Sequence, residues 1–180
     1  MDCLESERLR MVAATLQHIR TELDAPEKLA ALLDASVSPE WPPGEYDRDA
    51  MEFFRARFEL EGEAAEGWYG WYVVRSGETP GVRALVAHCG YFGPPGADGR
   101  VEIGYSVLPA WQRRGYASEI VQMLLDNAFE FPAVQQVVAH AAIGNVGSIS
   151  VLQACGFQAD GPGQEADTLR FVVERDPSRP

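Results

Sequence analysis

VEIGYSVLPAWQRRGYASEIVQMLLDNAFEF, residues 101–131, reads as a strand, a turn and a helix in one run. Val101, Ile103, Tyr105 and Val107 alternate with Glu102, Gly104 and Ser106, the period of two that a strand requires. The run breaks at Leu108-Pro109, because proline brings no N–H to a continuing ladder. From Ala117 the apolar positions are 117, 120, 121, 124, 125, 128 and 129, a stripe along one helix face. Between strand and helix lies Gln112-Arg113-Arg114-Gly115-Tyr116-Ala117. A turn that offers backbone N–H groups and two guanidinium groups at a helix start is an anion site. Six residues alone are equally an ordinary basic turn in front of a core helix.

Upstream, residues 68–75 (WYGWYVVR) are aromatic and β-branched and read as a strand. Residues 82–90 read as its antiparallel partner across a turn at 76–81, and 93–99 (GPPGADG) as a loop. Farther upstream, 8–13 is a short strand, and 16–23 and 26–33 are helices. The second helix has Pro26 in its first turn and Asp24 as its expected cap. Residues 36–44 (SVSPEWPPG) carry three prolines and form a loop around Trp41. Residues 48–60 are apolar at 50, 51, 53, 54, 58 and 60, an amphipathic helix. Downstream, 134–142 is a strand and 145–155 a short helix, with Asn145 as cap, Ile149 and Leu152 inward, and Gly156 at its C-terminus. Residues 168–174 make a last strand and 176–180 a frayed tail. Strands come first, then strand–helix–strand–helix–strand, the order of an α+β fold with helices packed on a mixed sheet.

A chain of 180 residues supports one sizeable core, so a single domain over 1–180 is expected. The net charge of −12 argues against non-specific binding to nucleic acid or an anionic membrane. Lys28 is the only lysine among 15 basic residues, so a phosphate grip must rest on arginine and backbone amides. Cys3, Cys89 and Cys155 are odd in number and widely spaced, which points to a reducing compartment, the cytoplasm, rather than to disulfides. The N-terminus lacks the apolar segment of a signal peptide. Residues 131–159 carry no Asp, Glu, Lys or Arg, but their proline, glutamines and glycines suit buried strand and helix rather than a membrane span.

Several chemistries find no support. The turn lacks the Gly-x4-Gly-Lys-Ser/Thr and Gly-x-Gly-x-x-Gly patterns, and no serine sits in a Gly-x-Ser-x-Gly elbow. His18, His88 and His140 show no metal-ligand spacing, so no metal is expected. Cys155, beside Gly156-Phe157, reads as a small core residue.

EIGYSVLPAWQRRGYASE, a strand, and then N-x-x-S-x-x-V-L-x-x-x-G-F at 145–157 together resemble the GNAT acetyltransferase superfamily. SERLRMVAATLQHI and GWYGWYVV are similar to the opening strand and central hairpin of its ribosomal-protein N-terminal acetyltransferase subgroup. The likeness runs from about residue 5 to about residue 173. It implies a mixed sheet of about six or seven strands, splayed in the middle, with helices on both faces. It also implies acetyl-CoA as cosubstrate. Carried over, Gln112, Arg113, Arg114, Gly115, Tyr116 and Ala117 would cradle the pyrophosphate, mostly through backbone N–H groups. Ser106, Val107 and Leu108 would pair with the pantetheine amides, and Asn145 would hydrogen-bond the pantetheine arm.

Direct acetyl transfer requires a thioester placed beside an amine, a donor for the oxyanion and a route for the amine proton. The resemblance implies a backbone N–H near Val107 as the donor. Glu102 is the candidate proton acceptor, because a mid-strand carboxylate in a covered sheet must be paired, solvated or used. Its other reading is a structural carboxylate that caps, or pairs with an arginine. Many relatives of this kind place a tyrosine where this chain has Leu152. The subgroup suggests Ser148 instead as proton donor to the leaving thiolate, although a first-turn serine also bonds its own backbone. Glu119 reads as structural or cofactor-adjacent.

The acceptor is an amine, either a protein N-terminal α-amine or a small molecule. An α-amine, with a pKa about 8 against about 10.4 for lysine, reaches its neutral form at roughly 3 kcal/mol less and so is favoured. Trp41 either packs back on the core or lines the acceptor cleft; Trp68, Tyr69, Trp71 and Tyr72 alternate on a strand, so one pair is expected in the core and the other is a candidate to line the acceptor groove. A monomer or homodimer, free of nucleic acid and membrane, is expected. The rival reading is a catalytically silent GNAT-like module that binds acyl-CoA or a protein, supported by the missing tyrosine.

Overall fold

The computed structural model describes residues 3–76 and 82–176. The expected turn at 76–81 and tail at 176–180 therefore lie, apart from Ser76 and Asp176, outside the described residues. The strands are β1 (Cys3–Glu5), β2 (Leu9–Ala13), β3 (Trp71–Ser76), β4 (Arg83–Tyr91), β5 (Arg100–Val107), β6 (Gln136–Ala142), β7 (Gln158–Pro162) and β8 (Thr168–Glu174). The helices are α1 (Leu16–Asp24), α2 (Leu29–Leu33), α3 (Arg48–Glu61), α4 (Tyr116–Glu130) and α5 (Val146–Ala154). Among the described residues the strand order is β1-β2-β3-β4-β5-β6-β8-β7, a mixed α+β sheet of eight strands instead of six or seven. The additional ones are β1, three residues long at one edge, and β7 at the other. Two compact units make up the chain: Met1–Gly90 with Tyr105–Tyr116, and Tyr91–Gly104 with Ala117–Pro180.

In the first unit, β2 pairs antiparallel with β1 and β3, and β3 with β4. The start of α1 is set by a capping box, in which Thr15 Oγ1 accepts from the His18 N–H and His18 Nδ1 accepts from the Thr15 N–H. α1 extends to Asp24, which therefore caps nothing, and Pro26–Lys28 is a 3-10 turn without a side-chain cap. The end of α1 leaves too few residues before Pro26 for a separate capped start. α3 begins at Asp47, whose carboxylate accepts from the Ala50 N–H at 3.0 Å, and buries Met51, Phe54 and Phe58. Tyr69, Trp71 and Tyr72 are all buried, so the aromatic run does not divide into a core pair and a cleft pair. The reason is that β3 begins only at Trp71, and the period of two does not extend back to Trp68.

A polar cluster lies inside this unit. The Glu22 carboxylate on α1 accepts from Tyr46 Oη at 2.7 Å, from Tyr72 Oη at 2.6 Å and from Trp41 Nε1. Trp41 thus packs back on the core, as one of its two readings had it. His88 stacks on Tyr46 with ring centroids 3.4 Å apart, and burial holds its pKa down at about 3 from 6.5. The unfolded chain takes up a proton there that the native state refuses. Stability contributed by the neutral His88 is therefore complete above pH 6.5 and is lost as pH falls toward about 3. The expected slope is about 1.4 kcal/mol per pH unit. Urea titrations between pH 7 and pH 4 should show it, and His88→Phe should flatten it.

In the second unit, β6 pairs in parallel with β5 and antiparallel with β8, which pairs with β7. A parallel pair needs a crossover, and α4 supplies it. Ile120, Val121, Leu124, Leu125 and Ala128 of α4 are buried, as the stripe requires; a fully buried aliphatic side chain contributes about 1.5–3 kcal/mol. Tyr91 Oη donates to the Leu124 carbonyl at 2.6 Å and fastens the end of β4 to this helix. The parallel ladder matches Arg100–Ile103 with Gln136–Ala139, while β5 continues to Val107. α5 ends in a Schellman motif at Gly156 (φ +89°), with Gly156 N–H to Gln153 O at 3.1 Å and Phe157 N–H to Leu152 O at 3.0 Å.

Candidate active site

In the first unit the chain leaves β5 through Leu108, a buried residue whose N–H donates to Val86 O at 2.9 Å. A 3-10 turn at Pro109–Trp111 follows, and Gln112 Nε2 reaches back to the Val107 carbonyl at 3.0 Å. Gln112, Arg113, Arg114 and Gly115 are exposed, and Tyr116 is buried. Arg113 (φ +59°) and Gly115 (φ +81°) are both left-handed, which curls the backbone at that point. The first turn of α4 then leaves its leading N–H groups without helical partners.

Two further arginines support this turn, and neither was legible from the turn itself. Arg8 Nη1 donates to the Arg114 carbonyl at 3.0 Å, and its guanidinium lies over the Tyr116 ring at 4.8 Å. Arg75 Nε donates to Tyr116 Oη at 2.9 Å and lies over Trp111 at 5.4 Å, with Arg114 over the same ring at 4.9 Å. The β2–β3 register brings them together, pairing Leu9, next to Arg8, with Arg75. Four guanidinium groups at one exposed turn form a strongly cationic site in an acidic chain, and backbone curl and charge both fit a phosphate-bearing ligand. A Cβ on Gly115 would meet only Arg8 Nη2, at 3.5 Å, so substitution there acts through the left-handed φ. Gly115→Val is expected to strain the turn by about 1–3 kcal/mol and to weaken coenzyme A binding, read by thermal unfolding and calorimetric titration.

At the end of β5, Ser106 meets the end of the 36–44 loop: a Cβ on Gly44 would lie 3.2 Å from Ser106 Oγ. The structure thus brings one of the expected cofactor-binding residues against the proline-rich loop.

In the second unit, Glu102 and His140 share one sheet face. Their side chains meet with His140 Nδ1 3.0 Å from Glu102 Oε1. Arg100, Val138, Pro162, Gly163, Gln164 and Arg170 complete the walls of a cavity of about 130 Å³ beside them. Glu102 pairs with a histidine, then, and not with an arginine. His140 was missed as its partner because the pairing depends on the parallel β5–β6 register. Asn145 Oδ1 caps α5 by accepting from the Ser148 N–H at 3.0 Å, which leaves its amide nitrogen as the group that would reach a ligand. Ser148 is half-buried in the first turn of α5, and two residues on Ser150 Oγ donates to Val146 O at 2.8 Å. Leu152, where the resemblance implies a tyrosine, is wholly buried and acts as core. Ala117 opens the buried stripe of α4. Cys155 is half-buried rather than core, with burial raising its thiol pKa, and its Sγ lies 3.5 Å from the Ser118 carbonyl.

Residues 14–158 match the family model described as an acetyltransferase (GNAT) domain. The chain belongs to the GNAT acetyltransferase family. Across 87% of its length it is 25% identical to the uncharacterized N-acetyltransferase YjdG of Bacillus subtilis, covering 90% of that protein. Among solved structures, its fold is similar to a ribosomal-protein-S5-alanine acetyltransferase from Vibrio fischeri, with a TM-score of 0.68, 18% identity and full coverage of both chains. RimL, a ribosomal-protein α-N-acetyltransferase solved in complex with coenzyme A, matches with a TM-score of 0.67 and 16% identity over 96% of this chain and 98% of that one. The GNAT match spans both compact units and includes the 112–117 turn.

Proposed function

We propose that this GNAT chain, acting as one domain over 1–180, moves the acetyl group of acetyl-CoA directly to an amine. The acceptor is a protein N-terminal α-amine or a small-molecule amine. The observation that carries the reading is the exposed, doubly left-handed turn at 112–116, ringed by Arg8, Arg75, Arg113 and Arg114 and running into α4. Its chemistry suits a pyrophosphate. Gln112, Arg113, Arg114, Gly115, Tyr116 and Ala117 would hold it, with Ser106, Val107, Leu108 and Asn145 along the pantetheine arm. Acetyl-CoA supplies an activated acyl group as a thioester. The protein's share is to place the amine nitrogen for attack on that carbonyl, to offer the Val107 N–H to its oxygen, and to manage two protons. Glu102 takes the proton that the amine loses as its C–N bond forms. Ser148 donates to the sulfur as the C–S bond breaks. A reducing, cytoplasmic setting belongs to the same reading, on the odd number and wide spacing of the three cysteines.

A silent module that binds acyl-CoA or a protein is the second reading, favoured only by the buried Leu152. Binding is tested first: saturating coenzyme A, at about 100 times its Kd, should stabilise the chain by roughly 2.7 kcal/mol and raise Tm accordingly. No shift at millimolar coenzyme A contradicts the acetyltransferase reading and the acyl-CoA form of the second. A shift without acetyl transfer to any amine leaves the silent module.

A further inference from the structure

We infer that His140 is the positioning residue for Glu102; the inference rests on the reading of Glu102 as proton acceptor. The sheet register puts the two groups on one face. Glu102 pairs with Val138 across the parallel β5–β6 ladder, and His140, two residues on, pairs with Arg170 across the antiparallel β6–β8 ladder. Successive side chains alternate, so Arg100, Glu102, Val138, His140 and Arg170 project together. The residues between them, Val101, Ile103, Val137, Ala139 and Phe171, are buried on the opposite face.

Within this row the histidine is the fixed member and the carboxylate the accessible one. The His140 side chain is 15% exposed and that of Glu102 31%. The turn between β7 and β8 closes on the imidazole. A Cβ on Gly163 would lie 3.1 Å from His140 Cδ2 and 2.0 Å from Thr168 Oγ1, so only glycine lets that turn approach. His140 Nε2 is buried and has no hydrogen-bond partner. A proton on Nε2 would therefore be left without an acceptor, whereas a proton on Nδ1 is donated to Glu102 Oε1 at 3.0 Å. The hydrogen-bond pattern selects the Nδ1–H tautomer. His140 thus acts as a clamped donor that occupies Oε1 and leaves Oε2 of Glu102 as the oxygen that can take up a proton. The charged groups facing the pair are Arg100 and Arg170, each with its own aspartate: Asp98 at 3.4 Å and Asp160 at 3.0 Å. Among the described residues neither arginine bonds Glu102, and His140 holds it.

The test compares His140→Leu with His140→Asn in acetyl transfer to an amine acceptor. Asparagine can place an amide N–H where Nδ1–H stood; leucine fills the space without a donor. His140→Leu should lower kcat about ten- to a hundredfold, the usual effect of a lost hydrogen bond to a charged group, with KM for acetyl-CoA unchanged. His140→Asn should restore most of kcat. In the Glu102→Gln background, His140→Leu should have little further effect, since the two act as a unit. Each variant is checked for an undiminished coenzyme A-induced rise in Tm, which separates misfolding from lost positioning. Wild-type kcat in a folded His140→Leu, or equal loss in both variants, overturns the inference. If Glu102→Gln itself keeps full activity, it is the assignment of the base that fails.

Discussion

Glu102→Gln is expected to lower kcat for acetyl transfer by about 10²–10⁴-fold, the usual contribution of a positioned general base. The amide keeps the size of the carboxylate and can still accept from His140 Nδ1, so the cavity and the β5–β6 ladder should persist. What it loses is the capacity to take a proton from the amine. Coenzyme A binding should be untouched, because the cationic turn is built from other residues. A steady-state comparison at saturating acetyl-CoA reads the effect. An unchanged kcat would mean that the amine loses its proton elsewhere.

The largest effect on stability is expected at Glu22. Its carboxylate is the shared acceptor for Trp41, Tyr46 and Tyr72, and Glu22→Ala leaves two buried donors and one half-buried donor without it. At about 1–3 kcal/mol for each unsatisfied group, the loss should be at least 3 kcal/mol. That is a large share of a typical domain's stability, and urea unfolding would show it. Burial raises the pKa of Glu22 above its ordinary 4.5, against the lowering effect of its three donors. The native state then holds this proton more tightly than the unfolded chain does. Stability linked to Glu22 is complete below pH 4.5 and declines as pH rises through the raised value, opposite in sign to the His88 effect. Glu22→Gln should abolish that decline while retaining an acceptor for the two tyrosines.

Much of the architecture could be read without coordinates where one periodicity ruled. The alternation in β5, the proline after Leu108 and the stripe of α4 agree with one another, and the observed bounds follow them closely. Legibility ended where structure depends on partners distant in sequence. β7 is exposed along its whole length and contains Gly161 and Pro162, so neither burial nor propensity marks it as a strand. It pairs because β8 presents a free edge. Glu22 gave no signal either, since a glutamate on an amphipathic helix is normally on the solvated face. Here the buried face of α1 carries His18 and Glu22 beside Ile19.

The site divides in the same way. The 112–117 turn was visible as a local motif because glycine, arginines and a helix start are contiguous. Arg8 and Arg75 were not, because they reach it only through the pairing of β2 with β3. Glu102 stood out as an ionisable group in mid-strand. Its partner His140 lies 38 residues away, and only the parallel register puts the two 3.0 Å apart.

Acetyl transfer from acetyl-CoA to an amine is the activity proposed for this chain. The most direct measurement incubates it with acetyl-CoA labelled in the acetyl group and a panel of peptides and small amines, with products followed by mass spectrometry. Label is expected on the amine nitrogen of at least one acceptor, with one free coenzyme A thiol released for each acetyl group transferred. Stabilisation by coenzyme A with no labelled amine, and no thiol release above background across the panel, would contradict it.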